Sequence, residues 1–235
     1  KLDAWVPDDR NSAIPQHSPS LRMGRSAGPD ELVSELFRFV RPEDYRSRYD
    51  HRMAICALIA RWFNLMLRKH AVPDGDFALC VTTPILKAVK PGQPVPPLWN
   101  PDVYRGITNG NVLAKLFSVA LSKRMSHWAI RTGRLGPEQV AFLPFHNTEE
   151  HVFTLLQVAR ARARDGKSTY ALFVDFAKAY DMVHLEALWL VLGRMGVPPG
   201  IISLLRDWAA KRRTRVQVNG ELSPEYHMSK GVPQG

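Results

Sequence analysis

Residues 173 to 183 read FVDFAKAYDMV, a stretch in which an apolar run meets two aspartates. The run begins earlier, so that residues 170 to 176 (YALFVDF) are almost wholly apolar apart from Asp175. An apolar segment of this length predicts a β-strand that is buried on both faces. A carboxylate at the end of such a strand has two interpretations. Asp175 either binds a divalent cation that faces a phosphate, or it caps the turn or helix that follows.

Helical and strand patterns alternate on either side of this stretch, which predicts an α/β fold. Apolar residues at a period near 3.6 predict helices, and short runs bounded by turn residues predict strands. The expected helices cover about residues 31–40, 50–70, 109–128, 148–164, 184–194 and 201–210, and the expected strands cover 77–86, 170–176 and 214–218. Proline-rich and glycine-rich composition predicts an extended arm before residue 30 and a loop over residues 90–101.

Two element ends have specific local signals. Asn147 precedes Thr148, Glu149 and Glu150, which predicts a capped helix start that suits the helix dipole. The pair Asn219-Gly220 predicts a type I′ turn, because both residues tolerate a positive φ. A returning strand should therefore follow residue 220.

The composition is that of a folded, basic protein. Hydrophobic residues make up 45% and charged residues 23% of the 235 positions, which is the balance of a globular chain. Lysine and arginine outnumber aspartate and glutamate by 32 to 22, and the formal charge of +10 favours a polyanion such as nucleic acid as partner. No apolar run approaches the roughly 18 residues of a membrane-spanning helix, so no membrane partner is expected.

The two cysteines, Cys56 and Cys80, show neither metal-ligand spacing nor the density of a disulfide scaffold. A reducing, intracellular compartment is therefore expected. Nothing near Lys1 resembles a secretory leader. Both ends of the chain are expected to have been cut from a longer protein.

The stretch 173–183 resembles the first palm motif of reverse transcriptases from non-LTR retrotransposons of the long-interspersed-element type. The segments around it also follow that family's order. Upstream are SAGPDELVSELF, TPILK, YRGITNGNVLAKLF and AFLPFHNTEEH, and downstream are LGRMGVPPG, RRTRVQVNGE and KGVPQG. The resemblance covers about residues 26–235, and an ordered series of motifs is harder to obtain by chance than any single one.

The resemblance implies a right-hand polymerase fold of the α/β (α+β) class, with helix-rich fingers and a partial antiparallel palm sheet. Residues 1–25 would form an extended N-terminal arm, 26–166 the fingers and 167–235 the N-terminal part of the palm. The family's second catalytic motif, a pair of aspartates, would lie beyond Gly235. The chain alone is therefore expected to be inactive.

The resemblance also assigns a metal site and a nucleotide site. Asp175 would be the catalytic aspartate and a metal ligand, assisted by the backbone carbonyl of Phe176, for two Mg²⁺ ions, with Mn²⁺ as the alternative ion. Tyr180 would lie beneath the incoming sugar and select deoxynucleotides, with Lys178 and Ala179 beside it. On its bare sequence setting, a core aromatic residue is the alternative interpretation of Tyr180.

Further positions match the family's nucleotide contacts. Lys87 in TPILK and Arg105 in YRGIT resemble the two finger cations that hold the triphosphate, one as a point charge and one as a fork. Gln234 in GVPQG resembles the glutamine that approaches the nucleotide and template. Taken singly, the two cations suit a solvated surface and GVPQG suits a simple turn. Asp181 is interpreted as a structural acceptor rather than a metal ligand.

A basic cluster near the end of the chain could track a nucleic-acid backbone, and a solvated face is the open alternative. Its members are Lys211, Arg212, Arg213 and Arg215.

The function implied by the resemblance is RNA-directed DNA polymerisation by part of a retrotransposon protein. The expected partners are an RNA template, a DNA primer or target DNA, deoxynucleoside triphosphates and the remainder of the polymerase, and the expected location is the nucleus and cytoplasm as a ribonucleoprotein. Two alternatives stay open: a decayed or repurposed nucleic-acid-binding scaffold, and a polymerase of the group II intron or retron type. Three departures from the family pattern keep the first alternative open. They are Glu31 for glycine and Gly106 for proline, both in predicted turns that can absorb the change, and an AFLPFHNT stretch without arginine, which removes a possible nucleic-acid contact.

Overall fold

The computed structural model of the protein describes residues 28–32, 51–89, 92, 94, 96–143 and 146–234. The predicted arm and nearly all of the predicted first helix, about residues 31–40, lie outside this part. The described residues form two compact units, one drawn from residues 1–122 and 179–235 and the other from residues 123–178. The division into arm, fingers and palm stays a prediction.

Five α-helices are described, and all five were predicted, the third of them from its cap and its terminal charges. They are α1 His51–Lys69, α2 Val112–Arg131, α3 Thr148–Arg164, α4 Leu185–Arg194 and α5 Pro199–Lys211. Within the described residues, none of them combines the length and the apolarity that crossing a lipid bilayer requires.

A four-stranded sheet forms the centre of the first unit. Its strands are β1 Leu79–Leu86, β2 Tyr104–Gly110, β3 Arg213–Val218 and β4 Glu221–Leu222, in the order β2-β1-β3-β4. The pairs β1–β2 and β3–β4 are antiparallel, whereas β1 and β3 run parallel. The sheet is therefore mixed, while an antiparallel sheet was expected.

Strand β2 was not predicted, because it follows the proline-rich loop and contains two glycines, which weaken a strand pattern. Its stability comes from pairing with β1 over seven residues, from Cys80 opposite Gly110 to Leu86 opposite Tyr104. By contrast, the type I′ turn between β3 and β4 is confirmed. Asn219 and Gly220 have φ angles of 51° and 86°, as that turn requires.

An aromatic cluster forms the core between α1, α2 and α5. Phe117 of α2 is 2% exposed, and its ring centroid lies 5.0 Å from that of Phe63 on α1 and 5.6 Å from that of Trp208 on α5. Phe77 completes the cluster, with its centroid 5.4 Å from that of Trp208. Such tilted ring contacts stabilise the fold beyond the burial of apolar area, so this cluster holds the three helices together.

The start of α2 is held by a residue distant in sequence. The Asp30 carboxylate accepts a 2.9 Å hydrogen bond from the amide of Val112, at the first turn of the helix. This contact satisfies one of the amides that a helix start leaves unpaired. Gly28 lies close to the carbonyl of Gly110, so the GPD turn packs directly on the junction between β2 and α2.

In the second unit, α3 begins as predicted. The Asn147 side chain accepts a 3.0 Å hydrogen bond from the amide of Glu150, and Glu149 and Glu150 occupy the acidic first turn. No residue of α3 is buried, although Phe153 and other apolar side chains lie along it.

The predicted strand over residues 170–176 is wrong for this structure. The segment belongs to no strand or helix, and Tyr170, Phe173 and Phe176 are exposed. An apolar run becomes a buried strand only when a neighbouring strand supplies hydrogen bonds and covering side chains. None of the four described strands pairs with this segment, and the sequence pattern could not indicate which partner would be needed.

Candidate active site

The β1–β2 hairpin brings Lys87 and Arg105 together. Ile85 lies opposite Arg105, and the Lys87 amide donates a 2.9 Å hydrogen bond to the carbonyl of Val103, which continues the pairing beyond β1. Side chains directly opposite each other, and those two positions along, share a face of an antiparallel pair. Lys87 and Arg105 are therefore diagonal neighbours on one face at the end of the hairpin.

Lys87 and Arg105 differ in the contacts that their side chains make. The Lys87 ammonium donates a 2.7 Å hydrogen bond to the main-chain carbonyl of Asp102, in an exposed position. Arg105 is also exposed, and it makes no ion pair with any residue that the structure describes. The guanidinium fork is thus available to a phosphate, while Lys87 would exchange one carbonyl for a phosphate oxygen.

Residues 231–234, hereafter the strap, join three parts of the first unit. The Gly231 amide donates to the carbonyl of Val183, and the Val232 amide donates to the carbonyl of Tyr180, each at 2.9 Å. At the other end, the carbonyl of Gln234 accepts a 2.8 Å hydrogen bond from the amide of Thr108 in β2. The strap therefore connects the turn that carries Tyr180 to the strand that carries Arg105.

Gly231 is required where the strap meets that turn. Its φ is 82°, and a Cβ atom there would lie 2.9 Å from the carbonyl oxygen of Asp181 and 3.0 Å from its Cα. Main-chain atoms at such distances leave no room for a side chain, so glycine permits the close approach.

Arg212 was predicted to contact a nucleic-acid backbone, but the structure places its side chain inside the protein. It is 7% exposed, and its guanidinium donates a 3.0 Å hydrogen bond to the carbonyl of Gly231. Burial lowers the pKa of this guanidinium.

The other cluster members are partly exposed and ion-paired. Lys211 contacts Asp74 at 2.9 Å and Asp207 at 3.1 Å, and the hydrogen bond to Asp74 is the main reason why its pKa is raised. Arg213 and Arg215 both contact Glu225, at 2.9 and 2.6 Å. Nucleic-acid binding by these three side chains stays a prediction, and an acidic ligand would have to compete with carboxylates already in place.

The remaining predicted residues are divided between the two units. Asp175, Phe176 and Lys178 belong to the second unit and Ala179 to the first. Asp175 is exposed and lies outside any helix or strand. Among the residues that the structure describes, no group of three or more His, Cys, Asp or Glu side chains could hold a metal ion. One carboxylate does not form a two-ion site, so these residues alone do not fit the expected magnesium centre.

Sequence reasoning missed the structural partners of the site. Thr108 binds the strap through its main-chain amide. A pattern of side chains does not predict a main-chain contact between distant segments, so this contact was not expected. Asp30 stands in the GPD motif, which was noted, but only the structure shows that it caps α2. Glu225 has no motif around it, and its role depends on the return of β4 toward β3.

A comparison with protein families matches residues 90–235 to the model described as reverse transcriptase (RNA-dependent DNA polymerase). Among curated proteins, a probable RNA-directed DNA polymerase from transposon BS of Drosophila melanogaster is 28% identical over 151 residues, which cover 64% of this chain and 16% of that protein. The retrovirus-related Pol polyproteins from two retrotransposable elements are each 24% identical. They are R2DM of Drosophila melanogaster, with 57% of this chain and 12% of that protein covered, and R2 of Bradysia coprophila, with 58% and 15% covered.

The matched region thus spans about an eighth to a sixth of the length of these relatives. The family match itself extends over more than half of this chain and includes Arg105, Asp175, Tyr180 and the strap. It agrees with the resemblance seen in the motifs. The chain belongs to the reverse transcriptase (RNA-dependent DNA polymerase) family.

Proposed function

We propose that this chain is the fingers and the first part of the palm of an RNA-directed DNA polymerase from a non-LTR retrotransposon. The observation that supports the proposal is the strap, which binds the carbonyl of Tyr180 at one end and the amide of Thr108 in β2, the strand of Arg105, at the other. In this arrangement an RNA template and a DNA primer or target DNA would be the macromolecular partners. A deoxynucleoside triphosphate would be the small substrate.

The nucleotide is proposed to bind at the end of the β1–β2 hairpin. Lys87 and Arg105 share a face there, and a point charge next to a bidentate fork suits a triphosphate. Tyr180 is proposed to lie under the sugar, where its ring would exclude a 2′-hydroxyl. Gln234 would approach the base pair, and Lys178 and Ala179 would line the turn before Tyr180.

Reverse transcriptases use divalent metals, and Asp175 is proposed to supply one carboxylate toward them. The other ligands are proposed to come from parts of the protein outside the described residues. Two observations support this: the matched region is a small share of each relative, and the apolar segment that carries Asp175 is exposed. Further palm strands would cover that segment and bring their own carboxylates.

A second candidate function is a nucleic-acid-binding scaffold without polymerase activity. It is favoured by the finding that the described residues hold no group of three or more potential metal ligands, and by the charge of +10, which by itself supports salt-sensitive binding to nucleic acid. The two candidates make opposite predictions for chemistry and the same prediction for binding.

Primer extension separates them. The test uses the protein with this chain in its native sequence context, an RNA template annealed to a DNA primer, and Mg²⁺. Loss of a metal ligand worth several kcal/mol should reduce extension by Asp175→Asn about a thousand-fold or more, while primer-template affinity is retained. Asp165→Asn is the matched control, because Asp165 is an exposed aspartate of the same unit that pairs with Lys167.

Extension by the Asp175→Asn protein at the rate of the wild type would contradict the assignment of Asp175. A wild-type protein that binds the primer-template but extends no primer would favour the scaffold.

A further inference from the structure

The side chain of Arg212 is a buried cation at the junction of α5 and β3. The amide of Arg212 donates a hydrogen bond to the carbonyl of Ala209 at the end of α5, and β3 begins at the next residue. Arg213 and Thr214 then pair with Leu79 and Cys80 of β1 in the parallel part of the sheet. The backbone of Arg212 is therefore fixed by a helix end on one side and a sheet on the other.

Burying a charge is unfavourable unless the charged group is well hydrogen-bonded, so a cation at this place needs a compensating contact. The contact that the structure shows is a 3.0 Å hydrogen bond from Nη2 to the carbonyl of Gly231. The Nε atom is buried, and none of the residues that the structure describes accepts a hydrogen bond from it. One main-chain carbonyl of the strap is therefore the principal partner of a costly buried group.

The carbonyl that Arg212 binds belongs to the residue at which the strap is most constrained. The amide of Gly231 donates to Val183, and Gly231 lies against the backbone of Asp181. The next amide along, that of Val232, binds the carbonyl of Tyr180. A group that fixes the Gly231 peptide thus fixes both the strap and the turn that presents Tyr180.

We propose that Arg212 is a positioning residue for the nucleotide site, holding the strap so that Tyr180 and Gln234 keep their places. The role of those two residues rests on the function proposed above, whereas the hold of Arg212 on the strap does not. Arg212 acts through the main chain of Gly231 and touches no substrate. This differs from the nucleic-acid contact expected from its basic neighbours.

Hydrogen exchange at single amides directly tests whether Arg212 holds the strap. The measurement uses the 235-residue chain and needs no polymerase reaction. In Arg212→Met, which keeps the bulk and removes the donors, we expect exchange at the amides of Gly231, Val232 and Thr108 to become about tenfold faster or more, as in a local opening. The amides of β1 that pair with β3 should keep their protection. Arg206→Met is the matched control, because Arg206 lies on α5 and pairs with the exposed Glu186.

A second variant, Arg212→Lys, retains the positive charge and one donor and covers the case in which Arg212→Met does not fold. It should show an intermediate exchange rate. Unchanged exchange at Gly231 and Val232 in either folded variant would overturn the proposal.

The consequence for the reaction is measured in the polymerase that contains this chain. Weakening of the hydrogen bond to Gly231 in Arg212→Lys should raise the KM for deoxynucleotide about five- to tenfold. The kcat and the salt dependence of primer-template binding should change little. A flatter salt dependence with an unchanged KM would show a nucleic-acid contact and overturn the proposal. Absence of extension by the wild-type polymerase would count against the proposed function and leave the exchange result intact.

Discussion

The amide of Thr108 donates a 2.8 Å hydrogen bond to the carbonyl oxygen of Gln234, which joins the edge strand β2 to the strap. Strand β2 already uses its other edge to pair with β1. The strap therefore occupies part of an edge that would otherwise expose unpaired backbone groups. Through this bond Gln234, which is proposed to approach the template, is attached to the strand that carries Arg105, which is proposed to hold the triphosphate.

Substitution of Gly231 should destabilise the protein more than substitution of another glycine with positive φ. Gly220→Ala places a side chain at a φ of 86° with open space around it, and should cost about 1–2 kcal/mol. Gly231→Ala adds contact with main-chain atoms of Asp181, and should cost about 1–3 kcal/mol more. The measurement is the free energy of unfolding in urea. Equal losses would contradict the close packing of the strap.

Substitution of Lys87 should weaken binding of the nucleotide, which would appear as a raised KM. Lys87→Ala removes one charge-assisted hydrogen bond to the triphosphate, and should raise the KM for deoxynucleotide about ten- to a hundred-fold. Lys115→Ala, an exposed lysine on α2, is the matched control. Steady-state primer extension by the polymerase that contains this chain provides the measurement, and a KM for Lys87→Ala equal to that of the control would contradict the assignment.

Removal of the ring of Tyr180 should relax sugar selection rather than triphosphate binding. Tyr180→Ala is expected to incorporate ribonucleotides about tenfold or more efficiently relative to deoxynucleotides than the wild type does, because the obstacle to a 2′-hydroxyl is gone. Tyr180→Phe keeps the ring and should retain the selectivity. Competition between the two nucleotides in one extension reaction measures the ratio, and an unchanged ratio in Tyr180→Ala would contradict the proposed position of the ring.

The aromatic cluster should dominate the stability of the first unit. Phe117→Ala leaves a cavity among Phe63, Phe77 and Trp208, and is expected to lower the free energy of unfolding by about 3–5 kcal/mol. Phe153→Ala makes the same chemical change on α3, where the side chain is 62% exposed, and should cost less than about 0.5 kcal/mol. Urea denaturation compares the two, and similar losses would contradict the described core.

Glu225 should make stability depend on pH in the acid range. Its contacts with Arg215 and Arg213 lower its pKa below the ordinary value of 4.5. A lowered folded-state pKa gives a contribution that is complete above the unfolded-state pKa and is lost as the pH falls through the folded-state value. Glu225→Gln should therefore be less stable than the wild type at neutral pH, and the difference should shrink below about pH 4.5. A difference that stays constant into strong acid would contradict the ion pairs.

The family and the helices were determined by the sequence alone. Helices α1, α2 and α4 follow from apolar spacing within each segment, and the start of α3 at Asn147 and the Asn219-Gly220 turn follow from residues only a few positions apart. Such signals are local, because a helix satisfies its hydrogen bonds within itself and a tight turn within four residues. The candidate residues Lys87, Arg105, Tyr180 and Gln234 followed from an ordered set of motifs rather than from any one pattern.

The tertiary structure alone decided which distant segments meet. It revealed β2, whose stability comes from pairing with β1, and it placed the strap between Tyr180 and Thr108. It also placed Arg212 inside the protein, although its neighbours in sequence are basic and partly exposed. The apolar run that ends near Asp175 shows the limit most clearly. Its apolar composition favours burial, but burial requires another surface to cover it. That surface comes from other parts of the folded protein, so the segment itself cannot indicate it.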